Sequence, residues 1–248
     1  SFGSSVNIAT GALRQAAYSD RALREVMTWF WDNHFNTLFN SHHNSLFEQN
    51  ENNAFRTLAV GRFRDLLAAS AKSPAMLYTL DGRHNRMGRP NENYARELME
   101  LHTMGVDGGY TERDVAEVAR AMTGWTVVDG QFAFDAAGHD VGAKNVLGVV
   151  IPAGGGQADG ERVLDIVASH PSTARFICRK LVTYFVSDVP VDALVTSCAQ
   201  TFISQQNAPD QIRQVLMVIL SSSAFRGDSH VRAKLKTPLE FVLGSVRQ

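Results

Sequence analysis

The sequence has few of the features from which a function is usually inferred. Its 248 residues include only two cysteines, Cys178 and Cys198, too few for the disulfide framework of a small secreted scaffold and without zinc-finger spacing. No apolar run reaches the length of about 18 residues that a membrane-spanning helix needs. Residues 1–17 also lack the charged-then-apolar order of a secretory signal. Neither a spanning helix nor a signal peptide is therefore predicted within this chain.

The chain also has no excess of positive or negative charge. The formal net charge is −1, with acidic and basic residues interspersed, so the chain has no basic stripe of the kind that binds nucleic acid. Nucleic acid is therefore not an expected partner. With 44% hydrophobic and 20% charged residues, the chain can bury a substantial core, as one domain or as two closely packed lobes.

The local motifs of several common enzymes do not occur. The chain has no Gly-x-Ser-x-Gly, His-Glu-x-x-His, Cys-x-x-Cys or Gly-x-Gly-x-x-Gly, which are the signals of serine hydrolases, zincins, thioredoxin-like proteins and dinucleotide-binding proteins. Gly154-Gly155-Gly156 is not followed by Lys-Ser or Lys-Thr, so it is not a phosphate-binding P-loop. These classes receive no support from the sequence.

The hydrophobic periodicity predicts a mainly α-helical globular protein. Apolar residues at helical spacing predict helices over 6–18, 20–39, 48–71, 74–80, 92–103, 112–123, 160–169, 172–186, 191–205, 208–221 and 231–247. Between 125 and 151, β-prone runs separated by glycines predict a small hairpin or three-stranded sheet. We therefore expect a single domain that is helical over 1–124, carries the β insertion at 125–151 and a glycine-rich loop at 152–160, and is helical again over 161–248.

Local signals mark the ends of one of these helices. Thr111, with Asp114 three residues later, is an N-cap signature. Gly124 after Thr123 suits the position just beyond a helix end, where a left-handed backbone is common. The helix over 112–123 is thus bounded by signals at both ends.

Residues 91–125 concentrate charged side chains in one continuous block. In a helix over 92–103, Glu92, Arg96 and Glu100 are four residues apart and share one face as an ion-pair ladder. Such a ladder is usually solvated and contributes only about 0.3 kcal/mol per pair. Its residues are therefore typical of a helix surface as well as of a site.

The same helix has an apolar stripe of Tyr94, Leu98 and Leu101. Glu97 runs along the seam beside this stripe, and His102 lies near its edge, so both are candidates for partial burial. Partial burial shifts a pKa in the way that acid–base or metal-ligand chemistry requires. A structural role for either residue fits the pattern equally well.

In the enzyme interpretation, four residues of this helix are catalytic candidates. Glu97 is the candidate base, with His102 beside it. Arg96 would clamp an anionic group, and Asn93 would orient the substrate.

Two further histidines are candidate metal ligands. His34 lies on the apolar side of the helix over 20–39, where a core histidine held by hydrogen bonds is the plainer interpretation. His139 and Asp140 lie near the predicted strands. In an extended chain Asp140 and Lys144 would share one face while His139 points to the other. A turn stabilised by Asp140 is the alternative to a ligand pair.

Six ordered segments carry a resemblance to a known family. They are WFWDNHFN at 29–36, AMLYTLD at 75–81, the block at 91–125, HDVGAKNVLG at 139–148, HPSTARFICRKLVTYFVSD at 170–188 and KLKTPLEFVLGSVR at 234–247. Together they resemble the bacterial domain-of-unknown-function family 1800 (DUF1800). Members of that family are typically longer at both ends, so the chain resembles an internal fragment of it.

The resemblance implies a periplasmic or secreted protein. A disulfide between Cys178 and Cys198 would support export, whereas two buried free thiols are the other interpretation. Because the family has no assigned function, two classes of function stay open. The first is an enzyme in which His34, Glu97, His102, His139 and Asp140 converge on a cleft that holds a divalent metal or another cofactor. The second is a non-catalytic interaction module with a protein partner in the bacterial envelope, whose polar residues form a structural network.

A weaker similarity concerns haem. Animal-type haem peroxidases have a histidine beside an aspartate, an arginine three residues before a glutamate, and a later histidine. Asp32-Asn33-His34, Arg89 with Glu92, and His139 occur in that order here, but at much shorter separations. We therefore place haem behind a divalent metal as a candidate cofactor.

Overall fold

The computed structural model describes residues 2–37, 45–227 and 234–246 and is mainly α-helical, as the sequence predicted. The helices are α1 (Phe2–Tyr18), α2 (Ala22–Phe35), α3 (Ser45–Leu58), α4 (Phe63–Ala71), α5 (Pro74–Thr79), α6 (Glu92–Glu97), α7 (Glu112–Ala121), α8 (Gln157–Ala168), α9 (Pro171–Phe185), α10 (Asp192–Ser204), α11 (Gln211–Ser221), α12 (Ser223–Arg226) and α13 (Pro238–Val246). The strands are β1 (Trp125–Val128), β2 (Gln131–Phe134), β3 (Lys144–Val146) and β4 (Val149–Ile151). Within the described ranges, no helix is both long and apolar enough to cross a membrane.

The chain divides into two compact units. Unit one comprises residues 1–62 and 178–248, and unit two comprises residues 63–177. Helix α9 therefore begins in unit two and ends in unit one. The prediction that the whole chain behaves as a single domain stays a prediction.

Helix α2 forms much of the core of unit one. Met27, Trp31 and Phe35 recur on one face of α2 and are buried, and each such side chain contributes about 1.5–3 kcal/mol by leaving water. The Trp31 indole Nε1–H donates to the carbonyl oxygen of Ala59 at 2.9 Å. The Phe35 ring stacks on Phe55 of α3 with centroids 5.2 Å apart. These contacts fix α2 against α3 and set the direction of the α2 residues that line a cleft.

Unit two carries two separate β-hairpins rather than one sheet. β1 pairs with β2 and β3 with β4, both antiparallel. The tight turn between β3 and β4 holds Leu147 and Gly148 with positive φ angles. The predicted location of β structure is confirmed, but it forms two two-stranded ribbons. The β3–β4 ribbon packs on α7 and α8, and β1 packs on α5.

One long helix predicted over 48–71 is two helices. The chain leaves the helix after Leu58, and the carbonyl oxygens of Val60 and Gly61 accept hydrogen bonds from the amides of Arg213 and Ile212, at 3.1 and 2.9 Å. These amides belong to the first turn of α11, where no intrahelical acceptor exists. The interruption is therefore a tertiary effect that the local pattern does not reveal.

The helix predicted over 92–103 changes type halfway. After α6, residues Leu98–Thr103 form a π-helical segment, and the Met104 amide donates to the Met99 carbonyl oxygen at 2.8 Å. The wider π turn rotates the following side chains relative to an α-helix. As a result Leu101, assigned to the apolar stripe, is 49% exposed, whereas His102 is buried.

The two cysteines are joined. Cys178 of α9 and Cys198 of α10 form a disulfide with Cα atoms 5.7 Å apart, and both residues are buried. Of the two interpretations left open by the sequence, the structure has the disulfide. It ties α9 to α10 next to the α9 residues of the cleft.

Candidate functional site

Unit one contains a large open cleft. Its volume is about 930 Å³, within the range of about 300–1,000 Å³ typical of small-molecule sites. Apolar side chains of α2 such as Val26, Trp29 and Phe30 form one wall, α9 supplies a second, and Leu239 and Leu243 at α13 supply a third. The lining is therefore mostly apolar, with a few polar groups placed within it.

Lys180 of α9 is the central polar group of this cleft. Its side-chain Nζ lies 2.8 Å from Nδ1 of His34. Burial lowers the pKa of Lys180, because removal of water disfavours the charged ammonium. The amine therefore gives up its proton more readily than a surface lysine does.

His34 is fixed by aromatic neighbours below the cleft. It is 4% exposed, stacks parallel to Phe30 at 6.3 Å, and meets Trp31 and Phe35 edge-on at 5.7 and 4.7 Å. When Lys180 is an ammonium it can only donate, so Nδ1 of His34 carries the lone pair. When Lys180 is a neutral amine, Nδ1–H can donate to it instead. The pair can thus hold one proton on either nitrogen.

Other charged groups of the cleft are held by acidic partners. Glu25 is buried and accepts a hydrogen bond from Arg56 at 3.1 Å. Arg179 pairs with Asp192 at 3.0 Å, and Lys234 donates to Asp188 at 2.7 Å. These charges are consequently balanced locally. The contact of Lys180 with His34 joins two groups that can transfer protons.

Tyr184 adds a hydroxyl one helical turn beyond Lys180. Its ring meets Phe30 edge-on at 5.4 Å. Burial, assisted by the negative charge of Glu240, raises the pKa of Tyr184. The phenol therefore stays protonated and is available as a hydrogen-bond donor in the cleft.

Unit two contains a second polar cluster, which is closed to solvent. His139 Nε2 lies 3.1 Å from Asp159 Oδ2, and the side chains are 1% and 2% exposed. Lys144, whose side chain is fully buried, donates from Nζ to the same oxygen at 2.6 Å and also donates to the backbone carbonyl of Asp140. Nδ1–H of His139 donates to the carbonyl oxygen of Thr123 at 2.8 Å.

The expected separation of His139 from Lys144 is wrong. Residues 139–143 do not form an extended strand, since β3 begins only at Lys144, and Lys144 Nζ approaches His139 Nε2 to 3.5 Å. The chain turns back here, so the alternation rule for strands does not apply. Asp140 points elsewhere, to a two-point ion pair with Arg120 at 2.8 and 3.2 Å, which lowers its pKa through hydrogen bonding.

The four catalytic candidates of the 91–125 block have different environments. Arg96 makes a two-point ion pair with Glu112, at 2.6 and 2.8 Å, which is shorter than its 3.6 Å contact with Glu92 in the predicted ladder. Glu97 is half-buried, as expected, whereas His102 is buried more fully than the partial burial expected of it. The His102 ring lies 6.5 Å from that of Tyr94.

Asn93 is exposed, and its side-chain amide approaches the carbonyl oxygen of Leu80 at 3.5 Å. His34 belongs to unit one, while the other six site candidates belong to unit two. In the part of the chain that the structure describes, no three His, Cys, Asp or Glu side chains are arranged to hold a metal ion. The divalent-metal hypothesis thus gains no support from these residues, and the haem hypothesis stays a prediction.

Sequence reasoning missed three residues of these clusters, namely Lys180, Tyr184 and Asp159. Lys180 lies between Ile177 and Tyr184 at helical spacing, so a lysine within an apolar stripe was a usable signal. Asp159 was assigned to the glycine-rich loop at 152–160, but it lies in the first turn of α8, where a carboxylate is favoured by the helix dipole.

Comparison with known protein families gives a match over nearly the whole chain. Residues 5–248 match the model of a family described as a protein of unknown function, DUF1800. No curated protein and no solved structure shows significant similarity to the chain. Because the match covers nearly every residue of the sequence, the chain belongs to the DUF1800 family.

Proposed function

We propose that this chain is an exported enzyme that binds a small amphipathic molecule in the cleft of unit one and transfers protons at its polar end through Lys180 and His34. The observation that carries the proposal is the 2.8 Å contact between Lys180 and His34 in an apolar cleft of about 930 Å³. A desolvated lysine is a standard way to obtain a base near neutral pH. The apolar walls suit the body of the ligand, and Lys180 and Tyr184 suit a carboxylate or carbonyl head group.

Export is supported by the disulfide and by the family resemblance. Disulfides persist in oxidising compartments and are rare in the reducing cytosol. The pair Cys178–Cys198 holds the helix that carries Lys180. A periplasmic or secreted location is therefore consistent with the disulfide as well as with the family.

Ligand binding can be tested with the fluorescent probe anilinonaphthalene sulfonate, which has an apolar body and an anionic head. Lys180→Met removes the amine and keeps an apolar chain of similar length. Loss of a charged hydrogen bond of about 1.5–3 kcal/mol is expected to weaken probe binding about 10- to 100-fold. Lys236→Met is the matched control, because Lys236 is exposed and does not line the cleft. Equal affinity of the Lys180→Met variant and the control would contradict the proposal.

A second function, an envelope interaction module, is favoured by one surface. On α13, Phe241 is 65% and Val242 57% exposed, and contiguous exposed apolar surface marks a protein-binding face when it is large enough. In this function, Phe241 and Val242 contribute the binding affinity, and Lys180 does not. Under it, Phe241→Glu abolishes probe binding, while Lys180→Met leaves the affinity unchanged.

A further inference from the structure

The buried cluster of unit two brings an amine and a carboxyl group into hydrogen-bond contact. Lys144 Nζ lies 2.6 Å from Asp159 Oδ2, and His139 Nε2 lies 3.1 Å from the same oxygen and 3.5 Å from Nζ. Groups that the fold holds in contact gain a large rate advantage over free reactants, because the entropy of bringing them together is lost on folding. One imidazole thus contacts both partners of a condensation.

The two groups are closed off from water. The Lys144 side chain is 0% and the Asp159 side chain 2% exposed, and removal of two ions from water costs several kcal/mol each unless their attraction repays it. Transfer of one proton from the ammonium to the carboxylate gives an amine and a carboxylic acid without changing the atoms present. That neutral pair is the reactive form for amide formation.

The rest of the cluster suits the same reaction. His139 is anchored through Nδ1 to the Thr123 carbonyl at 2.8 Å, which leaves Nε2 to take a proton from one partner and deliver it to the other. The Phe134 ring packs edge-on against His139 at 5.4 Å, so one wall is apolar. Exclusion of water also protects an amide from hydrolysis.

We propose that Lys144 and Asp159 become joined by an intramolecular isopeptide bond. The bond between Nζ of Lys144 and Cγ of Asp159 forms, and one carbon–oxygen bond of the carboxyl group breaks. The departing hydroxyl group takes a proton from Nζ, relayed by His139, and leaves as one water molecule. No oxidant, reductant or further reactant is needed.

The bond would link the β3–β4 hairpin to the first turn of α8. Lys144 is the first residue of β3, and Asp159 lies in the first turn of α8. The closed segment contains β4 and Gly154-Gly155-Gly156, the most glycine-rich stretch of the chain. A covalent link across it restricts the unfolded chain and so stabilises the folded one.

Intact mass spectrometry of the full chain tests the proposal directly. After reduction of the disulfide and denaturation, the wild-type protein is expected to be lighter than its sequence by the mass of one water molecule. Trypsin digestion should yield the single peptide 121–162, uncleaved after Lys144 and closed into a loop by the link between Lys144 and Asp159. Lys72 is an internal control, because it is ion-paired with Glu161 but its side chain is 31% exposed, and cleavage after it should proceed.

One other reaction gives the same mass change. Asp159 precedes Gly160, and an aspartate before glycine can close to a cyclic imide with loss of water. An imide leaves the Lys144 amine free, so trypsin would cleave after Lys144. That result overturns the proposal.

Variants identify the groups involved. Lys144→Met should have the mass of its own sequence, and His139→Gln should form the link many-fold more slowly after refolding from denaturant. If His139→Gln fails to fold, the mass and the peptide map of the wild-type protein still show whether Lys144 and Asp159 are linked. A folded wild-type protein with unmodified mass and normal cleavage after Lys144 overturns the proposal.

Discussion

Opening the disulfide between Cys178 and Cys198 should destabilise unit one by an amount that can be calculated. The bond ties α9 to α10, and its half-cystines are 20 residues apart. Both residues are fully buried, so the reduced thiols keep most of their packing contacts. The difference between oxidised and reduced protein therefore arises mainly in the unfolded chain.

The magnitude follows from the loop that the bond closes. For 20 residues, the chain-entropy relation gives a loss of about 11 cal/mol/K, or about 3.3 kcal/mol at 25 °C. For a protein of this size, 1 kcal/mol shifts the midpoint of thermal unfolding by about 2–4 °C. Reduction is therefore expected to lower the Tm of unit one by about 6–13 °C.

The assay is thermal unfolding followed by circular dichroism, with and without a phosphine reductant. Thiol titration in denaturant should find none in the untreated protein and two after reduction. The double variant Cys178→Ala/Cys198→Ala is the control, because its Tm should be low and independent of reductant.

Two results would refute this reasoning. Two titratable thiols in protein secreted to an oxidising compartment would mean that the bond does not form. An unchanged Tm after complete reduction would mean that the loop is already restricted in the unfolded chain. The isopeptide bond does not produce that restriction, because it lies outside the loop of the disulfide.

Three further perturbations have defined outcomes. Burial lowers the pKa of Lys180. The rate of its acylation, measured by peptide mapping at a series of pH values, should therefore reach half of its maximum at a pH below the ordinary lysine pKa of about 10.4. Gly124 has φ +83° and a Cβ there would lie 2.5 Å from a carbonyl oxygen, so Gly124→Ala should cost about 2 kcal/mol or more in urea unfolding. The Arg120 hydrogen bond lowers the pKa of Asp140, so its stabilisation is present above the unfolded value of about 3.9 and is lost as the pH falls through the lowered folded pKa. Asp140→Asn should accordingly be less stable than wild type at pH 7. Unfolding measured at acid pH should show the free energies of unfolding of the two proteins converging.

Local signals predicted local structure well. Thr111 Oγ1 accepts from the Asp114 amide at 3.3 Å, and the Asp114 carboxylate accepts from the Thr111 amide at 2.9 Å, which is the capping box that the sequence indicated. Gly124 has the positive φ expected beyond a helix end. Both features depend on residues within a few positions of each other, so the sequence contains all that is needed.

Features that depend on tertiary partners were not predictable in the same way. The break after Leu58 exists because amides of α11 need acceptors, and α11 lies far along the chain. The burial of Lys180 depends on His34, 146 positions away. A lysine within an apolar stripe indicates an unusual environment, but only the fold shows that its partner is His34 of α2.

Access to solvent distinguishes the two lysines that lie beside histidines, Lys144 and Lys180. Lys144 is sealed between a carboxylate and an imidazole, so any chemistry it performs is confined to its own neighbours and happens once. Lys180 is half-buried beside an imidazole and lines an open cleft, so a group that enters the cleft can exchange protons with it repeatedly. The same element, a lysine next to a buried histidine, therefore suits a permanent cross-link in unit two and turnover in unit one.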